Sequence, residues 1–412
     1  MTITTCRVCG SDRIEGFFDL GKQPLANSLL DTPDDQEEVY PLSLSYCHEC
    51  SLVQLDETVP PEKLFLHYLW VTGTSATAQK HANTFYEACV SRLNNPDKKG
   101  YVLEVASNDG TFLIPFQKGG YSVLGIDPAK NIAAMAVEQG VPTEAIFFGS
   151  KSAADIVSRK GKAEIVFARN VLPHVAETRD FVDGLQTCLS DTGVLAIEAH
   201  YAKIILEELH YDSIYHEHLC YFTVKSMERL LESFGLYVFD LAESPISGGS
   251  LVYFATKEKK DPSARLISYR EREEADKTND FDQWKDFAKR SFEHRDALTA
   301  MLNTEKTKGS KIVGWGASAR SSTMLNFCGI GPDVVPVIVD LNPLKQGKFT
   351  AGTHIPIKND EEVMKEGPDC VFLLAWNFRD EIAARLAERF GFKGICIVPF
   401  PKEPHVMQVP SV

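Results

Sequence analysis

Tyr101-Val-Leu-Glu-Val-Ala-Ser-Asn-Asp-Gly-Thr-Phe-Leu113 decides how the rest of this chain is read. Its apolar run, Val102 to Val105, predicts a buried strand entering a tight turn, then a helix from about Thr111. A second apolar run, Tyr121 to Ile126, follows a short helix and ends in Asp127-Pro128. Strand, small-residue turn, helix and acid-terminated strand make the first half of a nucleotide-binding α/β unit. Asp127 is placed there to take the two ribose hydroxyls of an adenosine. A dinucleotide would require Gly-x-Gly-x-x-Gly, so that backbone can close on a pyrophosphate. This turn instead carries Ala106, Asn108, Asp109 and Gly110, with Glu104 ahead of it. Carboxylates and an amide are poor hosts for a diphosphate. They suit a ligand with an ammonium and a sulfonium, which is S-adenosylmethionine. The competing reading is an ordinary α/β core with an Asn-Asp-Gly turn.

At 412 residues the chain has room for two or three domains. A formal charge of −14, from 57 acids against 43 bases, disfavours nonspecific binding to nucleic acid or anionic membrane. No apolar run approaches the ~18 residues of a membrane span. The opening Met1-Thr-Ile-Thr-Thr-Cys6 has no signal-peptide character. A cytoplasmic protein with no membrane or nucleic-acid partner is therefore expected.

The ten cysteines fall into two classes. Cys89, Cys188, Cys220, Cys328, Cys370 and Cys396 stand singly, which fits a reducing compartment without a disulfide framework. Cys6-Arg-Val-Cys9 and Cys47-His-Glu-Cys50 instead read as two knuckles of a four-thiolate zinc site. Four sulfurs close the coordination shell, so the zinc is expected to be structural. The segment between the knuckles is thinly apolar, and metal should supply much of its folding energy.

Polar residues then collect where parallel strands end. Residues 62–94 read as helix, broken at Val71-Thr-Gly-Thr-Ser75. The aromatics Phe65, His67, Tyr68 and Trp70 there read as core unless the fold brings them over the methyl donor. Beyond Asp127 come a helix (Ile132 to Gly140), a short run Ala145 to Phe148, and the strand Glu164 to Ala168. That strand leads to Asn170 and His174, and the strand Gly193 to Glu198 leads to His200. The carboxyl ends of parallel strands are where such sheets bind ligands, so Glu104, Asp127, Asn170, His174 and His200 belong to one rim.

The densest polar stretch is Tyr211-Asp-Ser-Ile-Tyr-His-Glu-His-Leu-Cys-Tyr221. A helical turn would put Tyr215 and His218 on one face; a strand would pair Tyr215 with Glu217. Histidine is the natural general base near neutrality, and a tyrosine can donate to a developing oxyanion. A nearby carboxylate would raise the histidine and fix its tautomer. Ser247-Gly-Gly-Ser250 follows as a turn before the strand Leu251 to Ala255. Residues 257–308 are charge-rich, with Phe281, Trp284, Phe287, Ala288 and Phe292 at helical spacing, a connector packed on a neighbour. A second α/β unit opens at Lys311-Ile-Val-Gly-Trp-Gly-Ala-Ser-Ala319, whose Gly-x-Gly-x-x-Ala turn precedes the run Val334 to Asp340. Read alone, that is a Rossmann fingerprint, and it makes an NAD-dependent dehydrogenase the serious rival.

Together these motifs resemble the sugar-nucleotide C-methyltransferases that act at C-3 of 4-keto-deoxysugars. The carriers are the paired knuckles, Glu104-x-Ala-x-Asn-Asp-Gly110, Asn170-x-x-x-His174, Tyr215-His-Glu-His218, Gly248-Gly-Ser250, Gly314-x-Gly-Ala317, Lys345-Gln-Gly347, Gly352-Thr-His-Ile-Pro356 and Ala375-Trp-Asn377. The resemblance implies a zinc-binding domain (1–65), a class I methyltransferase Rossmann-like domain (66–256), a helical connector (257–308) and a C-terminal Rossmann-like domain (309–412) that helps hold the sugar nucleotide. It implies S-adenosylmethionine on Glu104, Ala106, Asn108, Asp109, Gly110, Asp127, Pro128 and Asn170. A dTDP-linked sugar would lie against Lys203, Gly249, Gly316, Ala317, Ser318, Arg320, Lys345, Trp376 and Asn377. His218 would remove the C-3 proton, Tyr215 and His174 would donate to the enolate oxygen, and Glu217 would orient the pair. Some members carry a tyrosine in the segment matching Val71 to Ser75, where this chain has none. A monomer or homodimer is compatible with all of this. The remaining alternatives are methylation of sugar oxygen or nitrogen, and a zinc-ribbon regulatory protein with an inactive α/β body.

Overall fold

The computed structural model describes residues 2–65, 71–95, 100–244 and 249–409. The expectations for His67, Tyr68, Trp70, Ser247 and Gly248, and for the Phe65 side chain, lie outside the described residues.

Three strands open the chain, β1 (Ile14–Pro24), β2 (Val39–Cys47) and β3 (Val53–Leu55), paired antiparallel. Helices α1 (Pro61–Phe65) and α2 (Ala76–Val90) follow, on either side of a 3₁₀ turn over Thr72–Thr74. The break expected at 71–75 is therefore present, and Ser75 caps α2 by accepting the Ala78 amide at 3.2 Å.

The central unit alternates strand and helix: β4 (Tyr101–Val105), α3 (Ile114–Lys118), β5 (Ser122–Ile126), α4 (Lys130–Glu138), β6 (Thr143–Glu144), α5 (Ser150–Lys160), β7 (Ala163–Arg169), α6 (Thr178–Cys188) and β8 (Leu189–His200). After α7 (Ala202–Glu208), the two-residue β9 (Cys220–Tyr221) leaves this unit and pairs with β3. The first sheet is thus completed from far downstream. Helix α8 (Val224–Glu232) leads to the strands β10 (Tyr237–Ser244) and β11 (Ser250–Thr256). The seven strands run β10-β11-β8-β7-β4-β5-β6, with β11 antiparallel beside β8. Counted within the unit this is 3-2-1-4-5-7-6, the class I methyltransferase arrangement. Alternate residues of β4 and β7 enter two separate cores, Val102, Ile165 and Phe167 on one face and Leu103, Val105 and Val166 on the other. Both faces are covered, as a parallel sheet requires.

One local expectation shifts for an identifiable reason. The helix after the first turn starts at Ile114 rather than Thr111, because the Asp109 carboxylate holds the Thr111 amide and hydroxyl at 3.2 and 2.7 Å. The edge strand is Thr143–Glu144, which pairs with β5, and Phe147 just beyond it stays exposed.

Helices α9 (Ala264–Ala275) and α10 (Phe281–Thr307) connect to the last unit. It comprises β12 (Ile312–Trp315), α11 (Ala319–Cys328), β13 (Ile338–Val339), β14 (Ile357–Lys358), α12 (Asp360–Lys365), β15 (Cys370–Leu373), α13 (Arg379–Phe390), β16 (Ile395–Val398) and β17 (His405–Gln408). Its order, β14-β13-β12-β15-β16-β17, is that of a Rossmann sheet with an antiparallel last strand. The run Val334 to Asp340 contributes only two paired residues, since Pro336 has no amide to offer the ladder. Phe17 and Phe18 of β1 pack on α10 and α11, with ring centroids 6.0 Å from Phe281, 5.7 Å from Phe287 and 5.8 Å from Phe327. The first sheet therefore draws stability from this aromatic contact as well as from its thiols.

Candidate active site

Backbone strain marks the first crevice. Ala106 (φ 57°), Asn108 (φ 50°) and Asn170 (φ 49°) adopt the left-handed conformation that side chains disfavour, at the carboxyl ends of β4 and β7. The Asp127 carboxylate clasps this turn. One oxygen accepts the Asn108 amide and the other the Ala129 amide, both at 2.9 Å. Burial pushes Asp127 above the ordinary carboxylate range, against those two amides. Gly110 (φ 80°) sits where a Cβ would fall 2.9 Å from Val141, so the third position of the turn admits only glycine. Pro128 follows Asp127 and is half-buried.

A strap crosses the turn. Asn108 Oδ1 accepts the Thr72 amide and Asp109 Oδ2 the Gly73 amide, both at 2.8 Å. A Cβ on Gly73 would lie 2.5 Å from Asp109 Oδ2, so the strap packs without room for a side chain. Segment 71–75, in which this sequence has no tyrosine, therefore lies directly on the turn after β4.

Glu104 is fully buried on β4, and Oε2 has no hydrogen-bond partner among the described residues. Its neighbour is Arg169, 3.5 Å away, which also holds Glu198 at 3.0 Å. Register explains the row: Arg169 pairs with Glu198, and Glu104 pairs with Phe167, two residues before Arg169 on the same face. Burial, outweighing Arg169 and reinforced by Asp109 and Asp127, pushes Glu104 well above the usual range. Burial acts the same way on Glu198, but Arg169, His81 and Ser244 overcome it and hold that carboxyl at about 2. Sequence reading had not paired these groups. The signal was present as an acid at the end of β8 and a base at the end of β7, but it needs strand order to be seen. A buried acid short of a partner, with further acids at the next strand end, fits a cationic adenosyl ligand such as S-adenosylmethionine.

The stretch 211–221 resolves as a 3₁₀ turn over Tyr211–Ser213, then a tight turn, so Tyr215 and His218 do share a face. His218 Nδ1 lies 2.8 Å from the Ser213 carbonyl, and Nε2 lies 2.8 Å from the Tyr215 hydroxyl. A carbonyl only accepts, so Nδ1 carries the proton; Tyr215 then donates to Nε2. The His174 ring stands 4.9 Å from that of His218. Burial, then His174 and Arg320, push His218 well below its ordinary value. His174 is lowered to about 4 by burial. His200, at the end of β8, is lowered by burial and by Arg320, His210 and His218. The result is a cluster of neutral imidazoles.

The expected role of Glu217 is not what the structure shows. Its side chain turns the other way and accepts from Asn27 Nδ2 at 2.6 Å, and burial raises it to about 7. Adjacent residues in a turn point apart, so the carboxylate neither orients His218 nor raises it. That orientation comes from the Ser213 carbonyl, which sequence reading missed.

Several expected substrate contacts are committed elsewhere. Lys203 donates to Glu207 and Asp276, both at 2.5 Å, facing α9 rather than the crevice. Gly249 (φ 125°) abuts Ile204, and its carbonyl accepts the Tyr201 amide at 3.1 Å. The Trp376 indole N–H donates to Asp212 at 2.7 Å, leaving the ring buried, whereas Asn377 is exposed.

In the second turn, Gly316 (φ 101°) passes against Ala375, and Ser318 caps α11 by accepting the Ser321 amide at 3.2 Å. Asp340 accepts the Ala317 and Asn342 amides, each at 2.8 Å, as Asp127 does in the first turn. Here a cation is added: Lys345 Nζ donates to the Ala317 carbonyl at 2.6 Å and lies 3.6 Å from Asp340. Arg320, 5.8 Å from the Trp376 ring, extends the field of this unit to His200 and His218. The imidazole cluster therefore lies where the two units meet.

The four knuckle thiols converge, with all sulfurs within 4.8 Å of one another and the Cys6–Cys50 and Cys9–Cys47 pairs at 3.5 Å. Four sulfurs on one zinc at ~2.3 Å stand ~3.8 Å apart, so the site fits a tetrahedral zinc. Gly10 (φ 73°) and Ser51 (φ 61°) turn the chain after each knuckle.

Comparison with known proteins accords with this arrangement. A family model described as "Methyltransferase domain" matches residues 78–241, "C-methyltransferase C-terminal domain" matches 245–401, and "Putative zinc binding domain" matches 6–65. The chain is 32% identical over 413 residues to C-methyltransferase NovU of Streptomyces niveus, spanning 99% of this chain and 98% of that protein. Among solved structures, magnesium protoporphyrin IX methyltransferase of Synechocystis with bound SAM is 13% identical, covers 44% of this chain and 79% of its own, and has a TM-score of 0.33. An S-adenosylmethionine-dependent methyltransferase of Clostridium acetobutylicum is 10% identical, covers 45% and 93%, and has a TM-score of 0.34. These two structural likenesses are too loose to carry an argument. The full-length identity is not, and the second glycine turn falls inside the C-methyltransferase C-terminal model rather than a dehydrogenase. The chain belongs to the C-methyltransferase family.

Proposed function

We propose that this enzyme methylates C-3 of a nucleotide-linked 4-keto-deoxysugar, dTDP being the carrier, by way of an enolate. The observation that supports this most is the half-buried Tyr215–His218 pair, a neutral base with a phenol 2.8 Å from its basic nitrogen, at the junction of the two units. A C-3 proton is acidic only when it lies α to a carbonyl, so such a substrate asks for a base and an oxyanion donor side by side. On substrate binding the Tyr215 hydroxyl turns from Nε2 to the C-4 oxygen. That frees the Nε2 lone pair to take the proton. The Ser213 carbonyl steadies the Nδ1–H of the imidazolium that forms. His174, held neutral by burial, is the second donor to the enolate oxygen. Bound S-adenosylmethionine supplies an electrophilic methyl on its sulfonium. Glu104 and Asp127 hold the ammonium and ribose of that ligand. Arg320 and Lys345 face the sugar nucleotide's diphosphate. Zinc holds the first sheet together and takes no part in the chemistry.

The test is incubation with a dTDP-4-keto-deoxysugar in deuterated water, with and without S-adenosylmethionine, read by mass spectrometry and NMR. Deuterium should enter C-3 without the donor, and a new C-methyl should form with it. Both should be lost in His218→Asn. Methyl attached through oxygen or nitrogen, without C-3 exchange, would refute the enolate.

A further inference from the structure

We infer that the C-terminal unit sets the geometry of the catalytic base, with Trp376, Asp212 and Thr323 as positioning residues; this rests on the assignment of His218 as base.

Three consecutive residues carry the argument. Asp212 is fully buried, and its Oδ2 accepts the Trp376 indole N–H from the far unit at 2.7 Å. The next residue, Ser213, gives its carbonyl to His218 Nδ1 at 2.8 Å. The third, Ile214, gives its carbonyl to the Thr323 hydroxyl on α11 at 2.7 Å. The backbone contact that fixes the tautomer of His218 is thus pinned on both sides by the C-terminal unit.

Trp376 is built for this task rather than for stacking on a ligand. It is only 5% exposed, and its ring is enclosed by His210 (4.7 Å) and Phe400 (5.4 Å). Its single polar atom is spent on Asp212. The remaining oxygen of Asp212 has no partner among the described residues, so without the indole the carboxylate would be left buried with nothing to hold it. The loop would then relax toward water, carrying the Ser213 carbonyl away from Nδ1. His218 could then move its proton to Nε2, the nitrogen that must stay basic. Displacements of ~1 Å at a reacting group cost on the order of a hundredfold in rate. On this account a docked C-terminal unit and a competent base are one condition.

Trp376→Phe keeps the ring and removes the donor. Full-length chain labelled with ¹⁵N-histidine is compared as native, Trp376→Phe, Thr323→Val and His218→Asn, the last assigning the resonance. Native His218 should show the Nδ1–H tautomer without any substrate. In Trp376→Phe that signature should give way to a mixture. C-3 deuterium exchange on the dTDP-4-keto-deoxysugar should fall about ten- to hundredfold, with KM within about threefold. Thr323→Val, which loses only a hydroxyl, should give a smaller loss of the same kind and serves if Trp376→Phe does not fold. A tautomer and exchange rate within twofold of native in the folded variants would overturn the inference. So would a tenfold rise in KM with kcat retained, which would make Trp376 a substrate contact. If His218→Asn keeps exchange while the tautomer still shifts in Trp376→Phe, the base assignment fails and the positioning geometry stands.

Discussion

Replacing Arg169 with methionine isolates the buried charge row beneath the cofactor turn. The guanidinium lies 3.0 Å from Glu198, 3.5 Å from Glu104 and 3.0 Å from the centre of the Phe112 ring. Both acids are fully buried, and His81 lies 3.8 Å from Glu198. Methionine keeps contact with Phe112 but leaves Glu198 without its guanidinium, and losing one partner of a buried pair costs about 3–5 kcal/mol. Glu198 gives a second measure. It is held at about 2 against an ordinary 4.5, which corresponds to about 3 kcal/mol of stability near neutrality. A folded pKa below the unfolded one contributes stability above pH 4.5 and loses it as pH falls toward 2. In the variant the sign reverses, because Glu198 joins Glu104 among the raised acids and protonation relieves the strain. The variant should therefore melt about 6–20 °C below native at pH 8, and the gap should narrow at pH 5. Differential scanning calorimetry at the two pH values reads both quantities. A deficit equivalent to less than about 1 kcal/mol at pH 8, or a gap that widens on acidification, would show that Arg169 is not what holds these acids.

Three other outcomes follow from particular contacts. Gly73→Val forces a side chain into the 2.5 Å space before Asp109 and should weaken S-adenosylmethionine binding by about tenfold in calorimetric titration, with little change in melting temperature. Purified protein should contain one zinc per chain, and Cys47→Ser should lose it and the packing of β1 on α10, seen as loss of Trp284 fluorescence anisotropy. His174, lowered to about 4, binds fewer protons folded than unfolded, so it contributes stability above pH 6.5 that drains by about 3 kcal/mol as pH falls to 4; His174→Gln should flatten that part of the stability curve.

The sequence was most legible where chemistry and periodicity coincide within a few residues. The run Val102 to Val105, its polar turn and Asp127 predict a crevice that the sheet order then builds. The four knuckle cysteines needed only their spacing. What sequence could not carry was the direction of side chains in irregular turns and the partners of charged groups. Glu217 adjoins His218 in sequence, yet it bonds Asn27, 190 residues away. Lys203 looked free beside a ligand rim, but Glu207 lies one helical turn on and Asp276 arrives from α9. Trp376 ends a strand at a ligand-binding edge, and only the tertiary fold shows its N–H facing Asp212. Likewise Pro336 shortens β13 in a run that otherwise reads as strand.

The two crevices are built alike and differ in charge. In each, the acid closing the second strand accepts an amide from the first turn and the amide two residues beyond itself: Asp127 takes Asn108 and Ala129, and Asp340 takes Ala317 and Asn342. The first acid stands near Glu104 and Asp109, and on the proposed reading that crevice takes the sulfonium and the ammonium. The second has Lys345 at 3.6 Å, with Arg320 just beyond its glycine turn, and on the proposed reading these cations remove its repulsion of a diphosphate. On that reading one turn geometry serves a cationic donor and an anionic acceptor, with lysine and arginine making the difference. Lys345→Met should accordingly weaken the sugar nucleotide and leave S-adenosylmethionine affinity unchanged, because the cation acts only at the second turn. Equal loss for both ligands in calorimetric titration would mean that the two crevices are not divided by charge.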